Sequence, residues 1–579
     1  MSRGRNVTPR SIEPAQKPAG HPTRRLFVIL GGLAAVLYLP SLWLPFIGDD
    51  YVFLDEVRGA SFFRLWSFRN TQFEWYRPWS REVYFWALQS IAGLHPAIYR
   101  LSGLLLWLAS LGLYASIVRR LTSPRVAIVA SMGAVTLALW ATPVLWISGS
   151  QDLWMVFFGL STILLVSRGS WGWGLVTFLG ALLSKETAAV FAIIVTAFAL
   201  LFPQKSVRVT IARTLPYWCV LLAWFFIHPT LHRRLLGHWV MAPGGEQPVA
   251  ASTVVAKTLL SVVNLDIAPR PAEMGGAEWM RLVCAVALAV AGTSWLLRPR
   301  LSEASIQPSR RVAAFAGIWA LAGWAPLVLP SIGWHAYYGC VGALGAWLAI
   351  AVWLDSRRQL VLPVITALAI LQWSHANTMS WDWGNEWYQR RAGSFLNGIR
   401  TNLQQQYPTL PAHSRVYFGH LPNNIGLVAG QSPAIRVWYA DSTLQADFYS
   451  KYRPRQPTEP TGQDYFFRFD TLSGMVEVHA GPEDFRSGQF GNSEWEADHE
   501  KLAMMFLRAG DYERAAVEFD KVSQLPNRAD AGLFAGASYL LAGDSTRAVT
   551  IASTAQSRLH LTQDQVRQRI QLLIASVPR

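Results

Sequence analysis

Apolar residues fall in long runs along the first two thirds of the chain, and polar positions gather in the gaps between them. Eleven runs stand out, at 26–46, 98–118, 126–147, 153–167, 172–183, 187–202, 214–229, 281–297, 312–330, 337–354 and 360–375. A run of about 20 apolar residues can cross a bilayer as a helix. The pattern therefore predicts an α-helical polytopic membrane protein with about eleven crossings or half-crossings. The runs 172–183 and 187–202 are short and meet at the polar triplet Ser184-Lys185-Glu186. Two half-helices meeting at a charged break is one way to build a membrane site. The other reading is a single tilted helix with an internal Lys–Glu pair.

The charge in the gaps is not evenly shared. Alternate connections carry Arg119, Arg120 and Arg125; Arg168; Lys205, Arg208 and Arg213; Arg298, Arg300, Arg310 and Arg311; and Arg357 and Arg358. The positive-inside rule places these loops, with the amino terminus, in the cytoplasm. The remaining loops, 47–97, 148–152, 184–186, 230–280 and 331–336, are then outside. An odd number of crossings sends everything after about 376 outside as well. The expected setting is a bacterial inner membrane.

Composition agrees with this class. The chain is 52% hydrophobic and only 15% charged, with a mean hydropathy of +0.22. An ordinary soluble domain has about a quarter of its residues charged. The 27 tryptophans suit membrane–water interfaces. A net charge of +15 raises nucleic-acid binding, but its confinement to short loops between apolar runs argues against it. The three cysteines, Cys219, Cys284 and Cys340, all lie in apolar runs, with no disulfide framework and no paired-Cys metal motif. Residues 1–25 are polar, basic and Pro-rich, which predicts a disordered cytoplasmic tail. No small-residue cleavage site follows the run 26–46, so it reads as a retained first helix rather than a signal peptide.

The carboxy-terminal third changes character. Residues 376–493 predict an extracytoplasmic mixed α/β region, with strand-like runs at 414–419, 435–439, 465–469 and 475–478. From 494 to 579 the pattern becomes helical. Leu507-Arg508-Ala509-Gly510-Asp511 before Arg514-Ala515 recurs as Leu541-Ala542-Gly543-Asp544 before Arg547-Ala548, an offset of 33 residues. That is close to the 34 of a tetratricopeptide repeat. Tyr512, Ala516, Phe519 and Pro526 complete the first unit, and a closing helix is expected at 562–575. The other reading is a plain pair of helical hairpins. Such repeats suggest a protein partner.

The candidate chemistry lies in the outer loops. Gly48-Asp49-Asp50-Tyr51 stands where the first run leaves the membrane. Neighbouring carboxylates resist joint ionisation, so one pKa tends to rise, and acids at a membrane face mark proton, ion or substrate sites. A solvated loop start is the bland alternative. The loop 47–97 is long and aromatic, with Phe62, Phe63, Trp66, Phe68, Phe73, Trp75, Tyr76, Trp79, Tyr84, Phe85 and Trp86. Arg58, Arg64, Arg69, Arg77 and Arg81 stand between these rings. It predicts an amphipathic segment lying on the outer leaflet, its arginines suited to phosphate oxygens. A purely structural collar explains the rings, but less well the five arginines.

Several stretches together resemble a known family. Tyr76-Arg77-Pro78, Gly93-Leu94-His95-Pro96 and Tyr99-Arg100-Leu101 look like the first loop and second helix of multispanning glycosyltransferases that also carry tetratricopeptide repeats. The stretch Trp146-Ile147-Ser148-Gly149-Ser150-Gln151-Asp152-Leu153 looks like that family's segment between helices three and four, and Leu183-Ser184-Lys185-Glu186-Thr187 like its Ser-Lys-Glu motif. The acidic pair is shared more widely, with protein O-mannosyltransferases, aminoarabinose transferases and oligosaccharyltransferase catalytic subunits, all GT-C glycosyltransferases.

The resemblance implies a GT-C fold and an inverting transferase that takes a sugar from a polyprenyl-phosphate-linked donor on the outer face. Its acceptor is a protein, lipid or glycan. Asp49 or Asp50 would act as the base, with a lean towards Asp50. Arg77, Arg81, Lys185 and His335 would face the donor phosphate, supported by Glu186, Asp152 and Tyr76. The chain departs from the family at Thr142-Pro143, where His-Pro is usual, and at Trp334-His335-Ala336-Tyr337-Tyr338, where an Arg-Tyr pair is common. His335 is either a substitute for that arginine or an interfacial histidine. A divalent metal is compatible with the chemistry, but no ligand cluster has recognisable spacing. Two readings compete from other classes: a lipid or glycan flippase, and a non-enzymatic cell-envelope assembly protein.

Overall fold

The computed structural model describes residues 22–70, 75–203, 206–231, 250–266, 276–298, 310–328, 334–376, 386–419, 421, 428–448, 452, 455–470, 474–477 and 499–576, apart from 501–502, 505, 508–509 and 525–527. Residues 1–21 of the tail, Phe73, Lys205, Arg300 and Pro526 lie outside the described residues.

Most described residues of each of the eleven apolar runs are helical. The first part of the chain forms α1 (Pro22–Tyr38), α2 (Asp49–Val57), α3 (Tyr84–Ala92), α4 (Pro96–Leu121), α5 (Pro124–Val135) and α6 (Ala141–Leu145). Then come α7 (Ser150–Ser167), α8 (Trp171–Leu182), α9 (Val190–Leu201) and α10 (Val207–Ile227). Helices Gly276–Leu296, Arg310–Trp324, Cys340–Asp355 and Val361–Ala376 complete the apolar bundle. Among the described residues, six helices are long and apolar enough to cross a membrane, and the bent pair formed by α5 and the segment Ala138–Leu145 would make a seventh. Segments such as Trp171–Leu182 and Glu186–Leu201 are shorter.

Two features show how this bundle is held. Helices Arg310–Trp324 and Cys340–Asp355 approach backbone to backbone. A Cβ on Gly323 would lie 2.4 Å from Gly342 N, and one on Gly345 would lie 2.5 Å from Ala320 N. Small residues permit this closeness where apolar burial alone gives no drive for helix association. The 60° bend after α5 leaves backbone groups without helical partners. Asn264 serves two of them, its Oδ1 accepting from Ala138 N at 2.7 Å and its Nδ2 donating to Thr136 O at 2.8 Å, and its Nδ2 also donates to Leu368 O of helix Val361–Ala376 at 3.1 Å. Irregular backbone within an apolar bundle persists only when satisfied in this way.

The carboxy-terminal region holds a four-stranded sheet, β1 (Arg415–Gly419), β2 (Gln445–Phe448), β3 (Asp464–Asp470) and β4 (Gly474–Glu477), in the order β2-β1-β3-β4. β1 pairs parallel with β2 and β3, and β3 pairs antiparallel with β4. The expected strand at 435–439 is instead part of a helix, Pro433–Tyr439. Proline at the first helical position has a preset φ and no N–H to lose, which outweighs the β-branched and aromatic content that suggested a strand. Helix Glu386–Gln406 was not foreseen, nor was helix Ala251–Ser261 or strand β2. Glu386, at the start of its helix, accepts from Arg281 at 3.1 Å on each oxygen, while Arg281 also donates to Leu37 O at 2.9 Å. This ties the region to the membrane helices.

A single apolar core joins α2, α3 and the sheet region: Tyr51, Phe53, Leu54 and Phe85 pack with Leu396, Phe418, Ile435 and Trp438. The end of the chain is helical, with Tyr512–Ser523, Ala531–Leu541, Ser545–Leu559 and Gln563–Ser576. The repeated Gly-Asp has a shared geometry. Gly510 and Gly543 take positive φ, and Asp511 and Asp544 cap the next helix by accepting from Arg514 N and Arg547 N.

Candidate active site

Described parts of the loops 47–97, 148–152 and 184–186 meet, joined by Tyr337 and Tyr338. Their meeting point begins with α2. Gly48 precedes it at φ 53°, a conformation that costs glycine little and other residues more. The turn aims two consecutive carboxylates at different surroundings. Asp50 is fully buried. Its Oδ2 accepts from Ile47 N at 3.0 Å, and its Oδ1 accepts from Ser148 N at 2.9 Å and Ser148 Oγ at 2.5 Å. Arg100 stands beside it and donates to the carbonyls of Leu44 and Pro45 at 3.2 and 2.8 Å. Asp50 thus fastens the loop to the segment before α7.

Asp49 is different. It lies deep among protein atoms yet is only partly shielded from solvent, and no hydrogen bond is recorded for its side chain among the described residues. Burial pushes its pKa up to about 7. The Asp50 charge adds to the push, while Arg81 and Arg77 pull the other way. Like-charge repulsion, the cause foreseen from sequence, is thus real but second to desolvation. Asp49 also lies within electrostatic reach of Tyr338 and Tyr388.

On one side of Asp49 is a ring of paired charges. The Ser-Lys-Glu triplet does form a break, between α8 and the turn leading into α9, with Lys185 extended at φ −163°. Lys185 does not pair with Glu186. Its Nζ donates to both oxygens of Asp152, at 2.7 Å each, and lies 4.8 Å from the centre of the Tyr338 ring and 5.3 Å from that of Tyr337. Extended backbone sends consecutive side chains in opposite directions, so Glu186 points elsewhere. It takes the Arg77 guanidinium, Nη2 at 2.6 Å and Nε at 2.9 Å, while Arg77 Nη1 donates to Gln151 Oε1 at 2.7 Å. His228 closes the ring. Its Nδ1 accepts from Thr230 N and Leu231 N at 3.3 and 3.0 Å. The neutral imidazole must then carry its proton on Nε2, which sits 3.6 Å from Glu186 Oε1.

The first loop divides: Phe62, Phe63 and Phe68 are exposed, while its later part is packed into the fold. Its turn Pro78–Val83 is inserted against the break: Trp79 N donates to Leu183 O at 3.2 Å and Ser80 Oγ to Ser184 O at 2.7 Å. These bonds satisfy carbonyls at the end of α8 that have no helical partner. Arg81 is buried, donating through Nε to Glu82 Oε1 at 2.7 Å and through Nη2 to Asn70 O at 3.0 Å, with Phe53 beneath it. Tyr76 donates to Trp66 O at 2.9 Å and sets its ring edge-on to His228. His335 is half-buried with its ring against Tyr337 and Tyr338, near Lys185.

The sequence singled out most of this constellation, but five members carry it further: Arg100, Ser148, Gln151, His228 and Glu82. The first three lie inside the motif stretches quoted above. His228 ends an apolar run and has no local signal. Among the described residues, no group of three or more His, Cys, Asp or Glu side chains could hold a metal ion.

No family model matches the chain, and no curated relative does. Among solved structures it is similar to ArnT from Cupriavidus metallidurans in the apo state, with 14% identity, 73% of this chain and 85% of that one covered, and a TM-score of 0.38. The same protein bound to undecaprenyl phosphate matches with 15% identity, 72% and 85% coverage, and a TM-score of 0.38. The archaeal oligosaccharyltransferase AglB from Archaeoglobus fulgidus, in complex with an inhibitory peptide and a dolichol-phosphate, matches with 14% identity, 73% and 64% coverage, and a TM-score of 0.40. ArnT and AglB are multispanning glycosyltransferases of the GT-C superfamily, the one the motifs resemble. At this identity and TM-score the matches assign no residue of this chain a role.

Proposed function

We propose that this protein is an integral membrane glycosyltransferase. It moves a sugar from a polyprenyl-phosphate donor to an acceptor hydroxyl on the extracytoplasmic face, with inversion. The observation that carries the reading is Asp49. Among the described residues it is a carboxylate without a hydrogen bond of its own, beside a partner that accepts three, at the edge of a ring of lysine, arginine and tyrosine.

Asp49 is the base in this reading, rather than Asp50. The acceptor oxygen attacks the anomeric carbon, and its proton passes to Asp49. The bond from that carbon to the phosphate oxygen breaks on the opposite side, and the phosphate leaves with the extra charge. Lys185 keeps one N–H beyond its two bonds to Asp152, and that donor, with His335 and the Tyr338 hydroxyl, meets the departing phosphate. Arg77 acts by position: its guanidinium is committed to Glu186 and Gln151 and adds field rather than a direct bond. Arg81 holds the acid-bearing helix from the other side. The membrane domain 26–375, the 376–493 region and the terminal helices, which we read as tetratricopeptide repeats that recruit a protein, would then be one donor-binding body with an appended partner module.

The test uses purified full-length protein and a panel of polyprenyl-phosphate sugars, with release of polyprenyl phosphate as the readout. Asp49→Asn should lower turnover by about 100-fold or more, since a positioned base contributes about 10²–10⁴. Wild-type turnover should rise with pH through about 7, because the base must be ionised. Near-normal turnover of a folded Asp49→Asn protein would end this assignment.

A further inference from the structure

A second polar space borders the acid-bearing helix. It encloses about 650 Å³ between α2, the first loop and helix Pro433–Tyr439, a size typical of small-molecule sites. Val52 and Glu56 both line it. Glu56 is seven residues from Asp49, so it lies on the same face of α2, about 10 Å further along the axis. Arg81 joins the two places. It bonds Glu82 at the cavity and carries its charge to Asp49.

The charges around this space are unevenly served. Asp55 is closed by Arg58 at 2.8 Å and Arg436 at 3.4 Å. Glu82 is 1% exposed; its Oε1 takes Arg81, and among the described residues its Oε2 has no hydrogen-bond partner. Oε2 of Glu56 has none either. A buried acceptor left without a donor is costly. At the rim stand Arg64 and Arg69, both exposed. The inner wall therefore wants hydrogen-bond donors, and the mouth wants an anion.

We propose that this cavity is an acceptor subsite for an anionic carbohydrate. Sugar hydroxyls donate to Glu56 and Glu82, and a carboxylate or phosphate on the glycan meets the guanidinium forks of Arg64 and Arg69. The inference rests on the glycosyltransferase reading and names the acceptor class for it. A phospholipid headgroup offers the same pair of groups, hydroxyls and an anion, so the experiment separates the two sources.

Binding is measured by calorimetry on detergent-purified full-length protein without donor. The probes are a tetrasaccharide of alternating glucuronate, neutral maltotetraose and glycerol phosphate. The glucuronate probe should bind at least about tenfold more tightly than maltotetraose, about 1.4 kcal/mol. Arg64→Ala/Arg69→Ala, at exposed positions, should erase that preference. Glu56→Gln should weaken both tetrasaccharides while the melting curve stays cooperative. Equal or undetectable binding of the two tetrasaccharides overturns the proposal. So does tighter binding of glycerol phosphate, which would mark a headgroup site, and so does a preference that survives the double rim variant. The same titration on Asp49→Asn should give wild-type affinity. Lost turnover with intact binding bears on the base alone, and lost binding with intact turnover bears on the subsite alone.

Discussion

Two charged clusters flank Asp49, and they are built on opposite terms. The ring of Arg77, Glu186, Lys185 and Asp152 is closed: each cation has its own carboxylate at 2.6–2.7 Å, and the four side chains are 5–14% exposed. The cavity lined by Glu56, Glu82, Arg64 and Arg69 is open, with carboxylate oxygens lacking donors and arginines in solvent. The residue types are the same. What differs is whether each charge was neutralised within the fold. A closed ring holds fixed dipoles in place before any ligand arrives, which is the arrangement that stabilises developing charge without reorganisation. An open set leaves favourable bonds to be made by a ligand. Asp49 stands between them, and its neighbour Asp50 belongs wholly to the closed kind.

The closed ring can be broken one charge at a time, and the largest effect is expected there. Lys185→Met leaves Asp152 buried against an apolar side chain. Breaking such a pair costs about 3–5 kcal/mol. The double variant with Asp152→Asn should recover most of that loss, whereas Lys185→Met with Glu186→Gln should not, because Glu186 answers to Arg77. A thermal-melt double-mutant cycle reads both couplings. A stable Lys185→Met protein would mean the ring is not closed in solution.

Asp50→Asn comes next. The amide keeps one acceptor for Ser148 but turns an N–H toward Ile47 N, so a donor meets a donor. A loss of about 1–3 kcal/mol is expected, visible in melting at any pH at which the carboxylate is ionised. An Asp50→Asn protein that melts normally yet has no turnover would exchange the roles of the two acids.

Much of this was legible in the sequence. The eleven apolar runs became helices because helix is how a lone apolar segment satisfies its backbone. The sequence also placed the charged break at Ser184-Lys185-Glu186. What it did not show is who pairs with whom. Lys185 and Glu186 are adjacent in sequence, so an internal pair was natural. An extended residue at the break sends them apart, and their partners come from 33 and 109 positions away. The first loop was only partly legible for a similar reason. Its alternating rings and arginines look alike in sequence, and only tertiary partners such as Glu82 and Glu186 show that Arg77 and Arg81 turn inward while Phe63, Arg64 and Arg69 stay exposed. Glu386–Gln406 is a helix whose buried face, with Tyr388, Ala392, Leu396 and Ile399, becomes apparent once the sheet it covers is in place.

Burial raises the pKa of both acids, but without the hydrogen bonds that hold Asp50, Asp49 should respond to amide substitution in the opposite direction. Its folded pKa, about 7, lies above the ordinary carboxylate value. The folded protein therefore holds this proton more tightly than the unfolded chain. Its contribution favours folding at acid pH and is lost as pH rises from about 4 to about 7. Asp49→Asn, permanently neutral, should match the wild type in melting at pH 4 and exceed it by about 2–4 °C at pH 8. A variant that abolishes turnover while raising the melting temperature marks a group retained for chemistry. Equal melting at both pH values would place Asp49 in ordinary solvent.

The smallest effect separates the open cluster from the closed one. Arg64 and Arg69 are exposed, and neither has a side-chain ion pair in the described structure, whereas Arg77 and Arg81 are both tied into the fold. Exposed side chains outside such networks usually change stability by about 0.5 kcal/mol or less when replaced. Arg64→Ala and Arg69→Ala should therefore leave melting within that range at low and high salt alike. Arg64 acts on Glu56 through its charge alone, with no ion pair formed among the described residues. A loss of 2 kcal/mol or so from either, well above the usual range for exposed positions, would show that the rim is already closed by the protein itself, and the contrast between the two clusters would collapse.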